Sequence, residues 1–530
     1  MTAAEGAAAE GAVARAEPAD SGWQWLSPRS LVVRPVTDLI RLVPVLAGVL
    51  FFGSSHGFGG YWTVVFAGLA IVTSVVRWCT TRYRLTAERI YVRHGLLSKK
   101  VLSVPRDRVR SVDLTAHLVY RVLGLRRVSV GTGRSDRHGH GSLHLDALRL
   151  VDAEALRAEL LTRVIPVADA QAPPETEIVR LRPGWIRFAP FTMTGLVIAG
   201  VVLGSTVQLI NDLHVNVANI APVYRLVVRF DGLPVGERVL SGALTGLVLV
   251  VALSVAGYIT LFWDFRLVRL GEVLRVSRGL LTTRTTTIDI RRLRGAELSE
   301  PLLLRLVGGA RCLAITTGLR VGEGAEHGGS LLLPAAPREV ARQVTGSVLA
   351  TAGASGPITG ALVDGELARH GPAARRRRYV RALTGALVLI GVAVTGWSAK
   401  IIPAWAVAAS LVLLPVAAAL AADRYRSLGH RLTGGWLITR TGTLVRRRCV
   451  LSTDGIIGWR IHQSWFQRRQ GLVSLAATTA AGHQHYVAHD IPAADAIALA
   501  GSATSQLMTP FLTSLTPPPS QAPAQPSRGG

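Results

Sequence analysis

The feature that most constrains this chain is a pattern that occurs three times. In each copy a turn glycine is followed 29 positions later by a second glycine, in the pairs Gly95 and Gly124, Gly279 and Gly308, Gly442 and Gly471. Three equal spacings indicate an internal repeat. Each copy predicts a strand, a tight turn at the first glycine, two more strands, a short helix or turn, a strand pair and a final helix. We expect the final helices at residues 152–164, 337–349 and 492–508, with Asp152 as an N-cap.

Apolar segments precede each copy in pairs. They occupy residues 36–53, 58–76, 185–210, 239–263, 379–397 and 401–422. About 20 apolar residues suffice to cross a hydrocarbon core of roughly 30 Å, so the pairs predict three transmembrane hairpins. The turn at 54–60 has no Lys or Arg, whereas residues 375–378, before the third pair, are all arginine. Basic residues concentrate on the cytoplasmic side, which predicts cytoplasmic N- and C-termini for a multi-pass protein of a bacterial cytoplasmic membrane.

These elements predict an alternating domain organisation. The ranges are a disordered tail (1–30), hairpin 1 (36–78), repeat domain 1 (80–166), hairpin 2 (185–263, with an extracytoplasmic loop at 211–238), repeat domain 2 (264–350), a linker (351–378), hairpin 3 (379–422), repeat domain 3 (424–510) and a disordered tail (511–530).

Charge and cysteine usage narrow the possible functions. The 530 residues include 59 Lys and Arg against 33 Asp and Glu, for a net charge of +26. Such an excess fits nucleic acid or an anionic membrane surface. Nucleic acid is not expected, because the charge is dispersed beside membrane helices and lacks an aromatic stacking platform. Cys79, Cys312 and Cys449 are far apart, which predicts reduced structural thiols.

Strands that curl and end in one helix are typical of a pleckstrin-homology-like (PH-like) barrel. The runs YRLT, GLL, RVRSV and GLRRVSV in copy one resemble the bacterial PH-like domain. Three copies alternating with membrane hairpins are similar to the YdbT-like family of bacterial membrane proteins. The resemblance implies an α+β membrane protein with six transmembrane helices and three PH-like domains, each a curled antiparallel β-barrel with a C-terminal helix. In copy three Gly455 replaces the arginine found at Arg108 and Arg292.

Basic side chains are the principal candidates for binding. Those near the first turn and the following strand of each copy are Lys99, Lys100, Arg106, Arg108, Arg110, Arg284, Arg291, Arg292, Arg294, Arg446, Arg447 and Arg448. Beside an inner leaflet each charge would gain roughly 1 kcal/mol from anionic lipid. The alternative is a solvated face that only follows the positive-inside bias.

Histidines form a second candidate constellation. The spacing HxHxxxH occurs at His138, His140 and His144 and again at His483, His485 and His489. Residues of equal parity share one face of a strand, so either set could meet a transition metal. Polar hairpin loops are the alternative interpretation, and no cofactor is expected.

The sequence favours a non-enzymatic function, because it contains no nucleophile elbow, phosphate loop or HExxH helix. We expect three cytosolic domains that act as a binding platform for a protein or for anionic lipid headgroups, with a role in envelope stress or export. The family resemblance suggests as partner a smaller membrane protein with one PH-like domain. The alternatives are a transporter or transporter subunit, and a metal-dependent membrane enzyme that uses the histidines.

Overall fold

The computed structural model describes residues 23–25, isolated positions between 68 and 80, and the ranges 81–86, 88–94, 100–106, 109, 111–131, 142–161, 175–212, 234–317, 329–354 and 356–506. The chain divides into two compact units. One comprises Met1–Val109, Val119–Val128 and Leu143–Leu156, and the other comprises Arg110–Leu118, Ser129–Ser142 and Arg157–Gly530.

Copy one supplies seven strands and two helices among the described residues. They are β1 (Gln24–Trp25), β2 (Arg82–Leu85), β3 (Arg89–His94), β4 (Lys100–Pro105), β5 (Ser111–His117), α1 (Leu118–Val122), β6 (Leu125–Gly131), β7 (Ser142–Arg149) and α2 (Leu150–Leu161). Strands β1 to β4 form an antiparallel sheet in the first unit. Asp152 lies inside the first turn of α2 and is not its N-cap.

Copy two repeats this series after a pair of long helices. Its elements are β8 (Glu175–Arg180), the 3₁₀ segment Pro183–Phe191, α3 (Met193–Asp212), α4 (Val235–Phe262), β9 (Arg266–Leu270), β10 (Val273–Arg278), β11 (Thr282–Asp289), β12 (Leu293–Pro301), α5 (Leu302–Leu306), β13 (Gly309–Thr316), β14 (Leu331–Pro337) and α6 (Arg338–Thr351).

Copy three has the same order. Its elements are α7 (Gly356–Asp364), α8 (Pro372–Ser398), α9 (Ala404–Ser410), α10 (Leu413–Arg426), β15 (Gly429–Thr433), β16 (Trp436–Thr441), β17 (Val445–Ser452), β18 (Gly458–His462), α11 (Trp465–Arg468), β19 (Leu472–Thr478), β20 (His485–Pro492) and α12 (Ala493–Ala503). Helix α7 lies in the range predicted as a linker, and its Leu362 and Val363 pack into the core of copy two.

The spaced glycines occupy equivalent turns. Gly279 and Gly442 have φ of 108° and 106°, in the left-handed region that side chains rarely adopt. A Cβ atom at Gly279 would lie 2.1 Å from the Thr282 carbonyl oxygen, and one at Gly442 would lie 1.9 Å from that of Val445. The second glycines also have positive φ, at Gly124, Gly308 and Gly471. The equal spacing therefore reflects two turns that need glycine; Gly95 lies outside the described residues.

The closed barrels predicted from the resemblance are wrong for the described strands, because the sheets are open. The two halves of copy two belong to different sheets: β11 pairs with β5 of copy one, and β12 pairs with β17 of copy three. A strand of the neighbouring copy thus takes the edge that would close each barrel. The two half-sheets of copy two still share one core with α6, which includes Leu274, Ile288, Leu298 and Val348.

Three helices among the described residues are long and apolar enough to cross a membrane: Val235–Phe262, Pro372–Ser398 and Ala404–Arg426. Six spans are not shown. The predicted spans 36–53 and 58–76 lie outside the described residues apart from isolated positions. The predicted span 185–210 is bent by 69° between Pro183–Phe191 and Thr194–Val202, and it counts as a fourth candidate only if the pair is one span. Its first part contains Pro190 and buries Phe188 in the core of copy two, so it is not a straight helix.

A short extended segment before each predicted hairpin pairs with the first strand after it. Gln24 pairs with Tyr83, Arg180 pairs with Arg266, and Ala368 forms a bridge with His430. The two ends of each pair of apolar segments therefore lie next to each other. The sequence did not reveal these segments, since each is short and only weakly patterned.

Candidate interaction surface between the repeats

Consecutive repeats bind each other by antiparallel strand pairing. The β5–β11 ladder runs from the pair Ser111↔Ile288 to the pair His117↔Thr282. The β12–β17 ladder runs from Gly295↔Leu451 to Pro301↔Val445. Ser111 and Gly295 each stand 13 positions before the second glycine of their copy, and Ile288 and Leu451 each stand 9 positions after the first glycine of theirs. The two ladders therefore have the same register.

An acid and an arginine meet at the same place in both ladders. The Arg284 guanidinium lies 2.9 Å from the Asp113 carboxylate, and the Arg447 guanidinium lies 3.5 Å from the Glu297 carboxylate. Both acids stand 11 positions before the second glycine, and both arginines stand 5 positions after the first. Opposite charges across neighbouring strands stabilise their pairing. A comparison of the acids between copies could have revealed this pair, which the search for basic clusters missed.

The predicted basic cluster of copy three is engaged within the chain. Arg446 donates to Asp423 and to the Ser427 hydroxyl, at 3.0 and 3.1 Å. Buried Arg448 donates to the carbonyl oxygens of Leu362 and Gly365, at 3.0 and 2.9 Å. Burial lowers the pKa of Arg448 to about 10, and it remains charged at neutral pH. Arg446 therefore fixes the end of α10 to β17, and Arg448 fixes the end of α7 to β17.

The arginines of copy two after β11 form a second group. Arg291 and Arg292 lie 3.9 and 3.5 Å from Asp289, and the Arg291 side chain is 60% exposed. The Arg294 side chain packs on Gly455, where an added Cβ would meet it at 3.1 Å. This close approach gives a packing reason for glycine at the position where the other copies have arginine.

The basic residues of copy one are placed only in part. Lys99, Arg108 and Arg110 lie outside the described residues. Lys100 begins β4 and pairs with His94 of β3. Arg106 follows β4, and its backbone N–H donates to the Glu88 carbonyl oxygen at 2.9 Å.

The histidines of copy three are not grouped to hold a metal, and most of the copy one set lies outside the described residues. His138 and His140 lie outside them, and His144 lies in β7. In copy three the His483 ring is 3.2 Å from Glu297, His485 is exposed at the start of β20, and burial lowers the pKa of His489 to about 4. In the part of the chain that the structure describes, no three His, Cys, Asp or Glu side chains are grouped to hold a metal.

A buried charge cluster attaches the third repeat to its membrane helix. Asp490 is fully buried and pairs with Arg377 and Arg378 at the start of α8. It also accepts a hydrogen bond from Gln467 at 2.8 Å. Two members of the juxtamembrane arginine run therefore point into the protein.

The cysteines fit the predicted structural role. Cys312 and Cys449 are buried and unpaired, whereas Cys79 is exposed. Burial raises the pKa of Cys312 to about 12 and that of Cys449 well above its usual value, so both remain thiols.

Comparison with known proteins agrees with the repeat. The family described as Bacterial PH domain (bPH_2) matches residues 39–164, 215–351 and 385–504, which together cover more than half of the chain. The UPF0699 transmembrane protein YdbT of Bacillus subtilis (strain 168) is 20% identical over 332 residues, or 58% of this chain and 66% of that relative. The match thus spans slightly less than two thirds of the relative's length. No solved structure matches. The chain belongs to the bacterial PH domain family, and it is a transmembrane protein with three matches to that domain.

Proposed function

We propose that this chain is a non-enzymatic platform of the bacterial cytoplasmic membrane, whose cytosolic PH-like domains bind a protein partner through exposed strand edges. The observation that carries this proposal is the strand pairing between consecutive repeats, which occurs twice in one register. Consecutive domains of this chain bind each other by adding a strand to a sheet edge, which is a common mode of protein recognition. A smaller membrane protein with one PH-like domain is the partner we propose, in envelope stress or export.

The contacts of the basic residues favour protein over lipid. Arg284, Arg446, Arg447 and Arg448 hold carboxylates or carbonyl oxygens of the same chain. A headgroup would have to displace these partners, and a partly buried ion pair is costly to break. The Arg291 side chain is 60% exposed beside Asp289, and we propose that it adds an auxiliary contact with anionic lipid.

Multi-pass topology with cytoplasmic termini is part of the proposal. The pairing of Arg180 with Arg266, and the bridge of Ala368 with His430, support an even number of crossings between the members of each pair. Three hairpins and six spans satisfy this condition.

In-cell crosslinking tests the platform. A photoreactive residue replaces exposed Leu102 in β4, exposed Ile461 in β18 or, as control, exposed Ile497 in α12. We expect adducts with one protein from at least one strand edge and none from position 497. Lipid adducts alone, or equal protein adducts from all three positions, would contradict the proposal.

A further inference from the structure

In the last repeat, β18 is the counterpart of the strand that a neighbouring copy covers in the other two repeats. Gly458 at the start of β18 stands 13 positions before Gly471, as Ser111 of β5 and Gly295 of β12 stand before their glycines. β5 is paired by β11 and β12 by β17, whereas β18 forms the edge of the sheet β18–β19–β20 among the described residues. An exposed edge presents a row of backbone donors and acceptors to another strand.

The side chains of β18 have the exposure expected of an uncovered site. Ile461 is 49% exposed, although the equivalent Leu114 of β5 and Leu298 of β12 are only 6% and 4% exposed. The difference follows from the covering strand, which is present in two copies and, among the described residues, absent from the third.

The charge at this edge is reversed relative to the other two. Arg460 is exposed and stands 11 positions before Gly471, where copy one has Asp113 and copy two has Glu297. The strands that cover those acids are β11 and β17, and they carry Arg284 and Arg447 at 5 positions after the turn glycine. The equivalent strand of copy one is β4, which has Lys100 at this position. Each of the three equivalent strands β4, β11 and β17 would therefore bring a like charge to Arg460, which disfavours a second copy as the occupant.

Resting on the proposed function, we infer that the edge of β18 receives a β-hairpin strand from a separate polypeptide, which carries Asp or Glu 5 positions after its turn glycine. The register of the two observed ladders places this acid beside Arg460. In the same register His462 is the direct cross-strand partner of this acid. Ile461 is the partner of the next residue of the incoming strand, 6 positions after its turn glycine.

A hairpin peptide with the sequence of residues 436–452 tests the inference, because β17 of this hairpin covers β12 in the chain. The peptide is labelled and carries Cys449→Ser with Arg447→Glu, and its binding to the full chain in nanodiscs is followed by fluorescence anisotropy. A second peptide keeps Arg447. A third has Arg440→Glu instead, which gives the same net charge at a different position and controls for attraction to the basic protein.

We expect the Arg447→Glu peptide to bind about three- to tenfold more tightly than either of the others, as an exposed cross-strand charge pair allows. In the Arg460→Glu protein the peptide with Arg447 should become the tighter ligand. Arg468→Glu makes the same charge change in exposed α11 and should leave the order of the peptides unchanged. A preference that does not depend on residue 460, or no binding of any peptide, would overturn the inference.

Cysteine crosslinking tests the register and the occupant. In a Cys79→Ser background, Ile461→Cys should form a disulfide with a peptide that carries Arg448→Cys and not with one that carries Val450→Cys. A disulfide between Ile461→Cys and Val101→Cys of two full chains would identify a second copy as the occupant and contradict the inference. If these tests fail while in-cell adducts arise at position 102, the platform proposal stands and only the β18 inference is lost.

Discussion

Asp490 shows how much of the third repeat depends on one side chain. It is fully buried, its backbone is left-handed with φ of 57°, and it contacts two arginines of α8. It follows His489 of the HxHxxxH spacing, which allowed either a metal site or polar hairpin loops, and the described residues form an ion-pair cluster at Asp490. The sequence could not reveal this cluster, because Arg377 lies 113 positions from Asp490 along the chain.

Asp490→Asn should destabilise the third repeat by about 3–5 kcal/mol, because it leaves two buried or half-buried arginines without their counter-charge. Asparagine has nearly the same shape and tolerates left-handed φ, so the loss reports the charge. Amide hydrogen exchange of β20 measures the change. Exposed Asp454→Asn is the matched control and should change stability by less than about 0.5 kcal/mol. Equal effects of the two variants would refute the assignment.

His370 and His489 should make the fold sensitive to mild acid. Burial lowers the pKa of each ring to about 4, from a usual value of 6.5. Between these values the unfolded chain binds more protons than the folded chain. The stability present above pH 6.5 is therefore lost as the pH falls towards 4, on the order of 1.4 kcal/mol per pH unit for each histidine.

Thermal unfolding of the full chain between pH 7.5 and 5 measures this dependence. His370→Gln should make the loss of stability with falling pH shallower, whereas His485→Gln, at an exposed position of the same repeat, should leave the slope unchanged. Identical slopes for the native chain and His370→Gln would show that folding does not lower the pKa of His370.

Strands and turns were largely predictable, whereas their partners were not. The equal spacing predicted the turns at Gly279, Gly308, Gly442 and Gly471, all of which need positive φ. Local patterning cannot choose between β12 and another strand of similar composition as the partner of β17. The repeat therefore predicted the elements of each copy, but not that strands of neighbouring copies pair with each other.

The Asp113–Arg284 pair should couple β5 to β11. Asp113→Arg and Arg284→Asp should each weaken the ladder by about 1 kcal/mol, since each places like charges on adjacent strands. The double variant should recover most of this loss. Hydrogen exchange of the β5 and β11 amides is the measurement. A double variant as unstable as the sum of the single variants would show that the two side chains do not interact.

Across the whole molecule, extended segments and membrane helices determine one another's placement. β8 and β9 flank an apolar stretch that includes α3 and α4, and their pairing brings its two ends together. Hydropathy predicted the stretch, but only the pairing explains why the chain resumes its sheet on the same side. The first predicted hairpin lies mostly outside the described residues.

Cysteine labelling in intact cells tests this arrangement. In a Cys79→Ser background, Ser398→Cys at the end of α8 should react with a membrane-impermeant maleimide, because the proposed topology places it outside. Ser347→Cys in α6 should react only after lysis. Both serines are exposed, and the remaining cysteines are buried. Labelling of Ser347→Cys in intact cells would overturn the cytoplasmic location of the second domain.

The strand pairing between repeats also has a consequence for the number of repeats that a chain can contain. Each internal repeat gives its β-hairpin strand to the copy before it and receives one from the copy after it, as β11 and β17 do. Inserting or deleting a whole repeat with its hairpin would therefore restore the same junctions and leave the two outermost strands unchanged. Chains with different numbers of repeats could then present identical terminal edges, and gene duplication could lengthen the array without redesigning its ends.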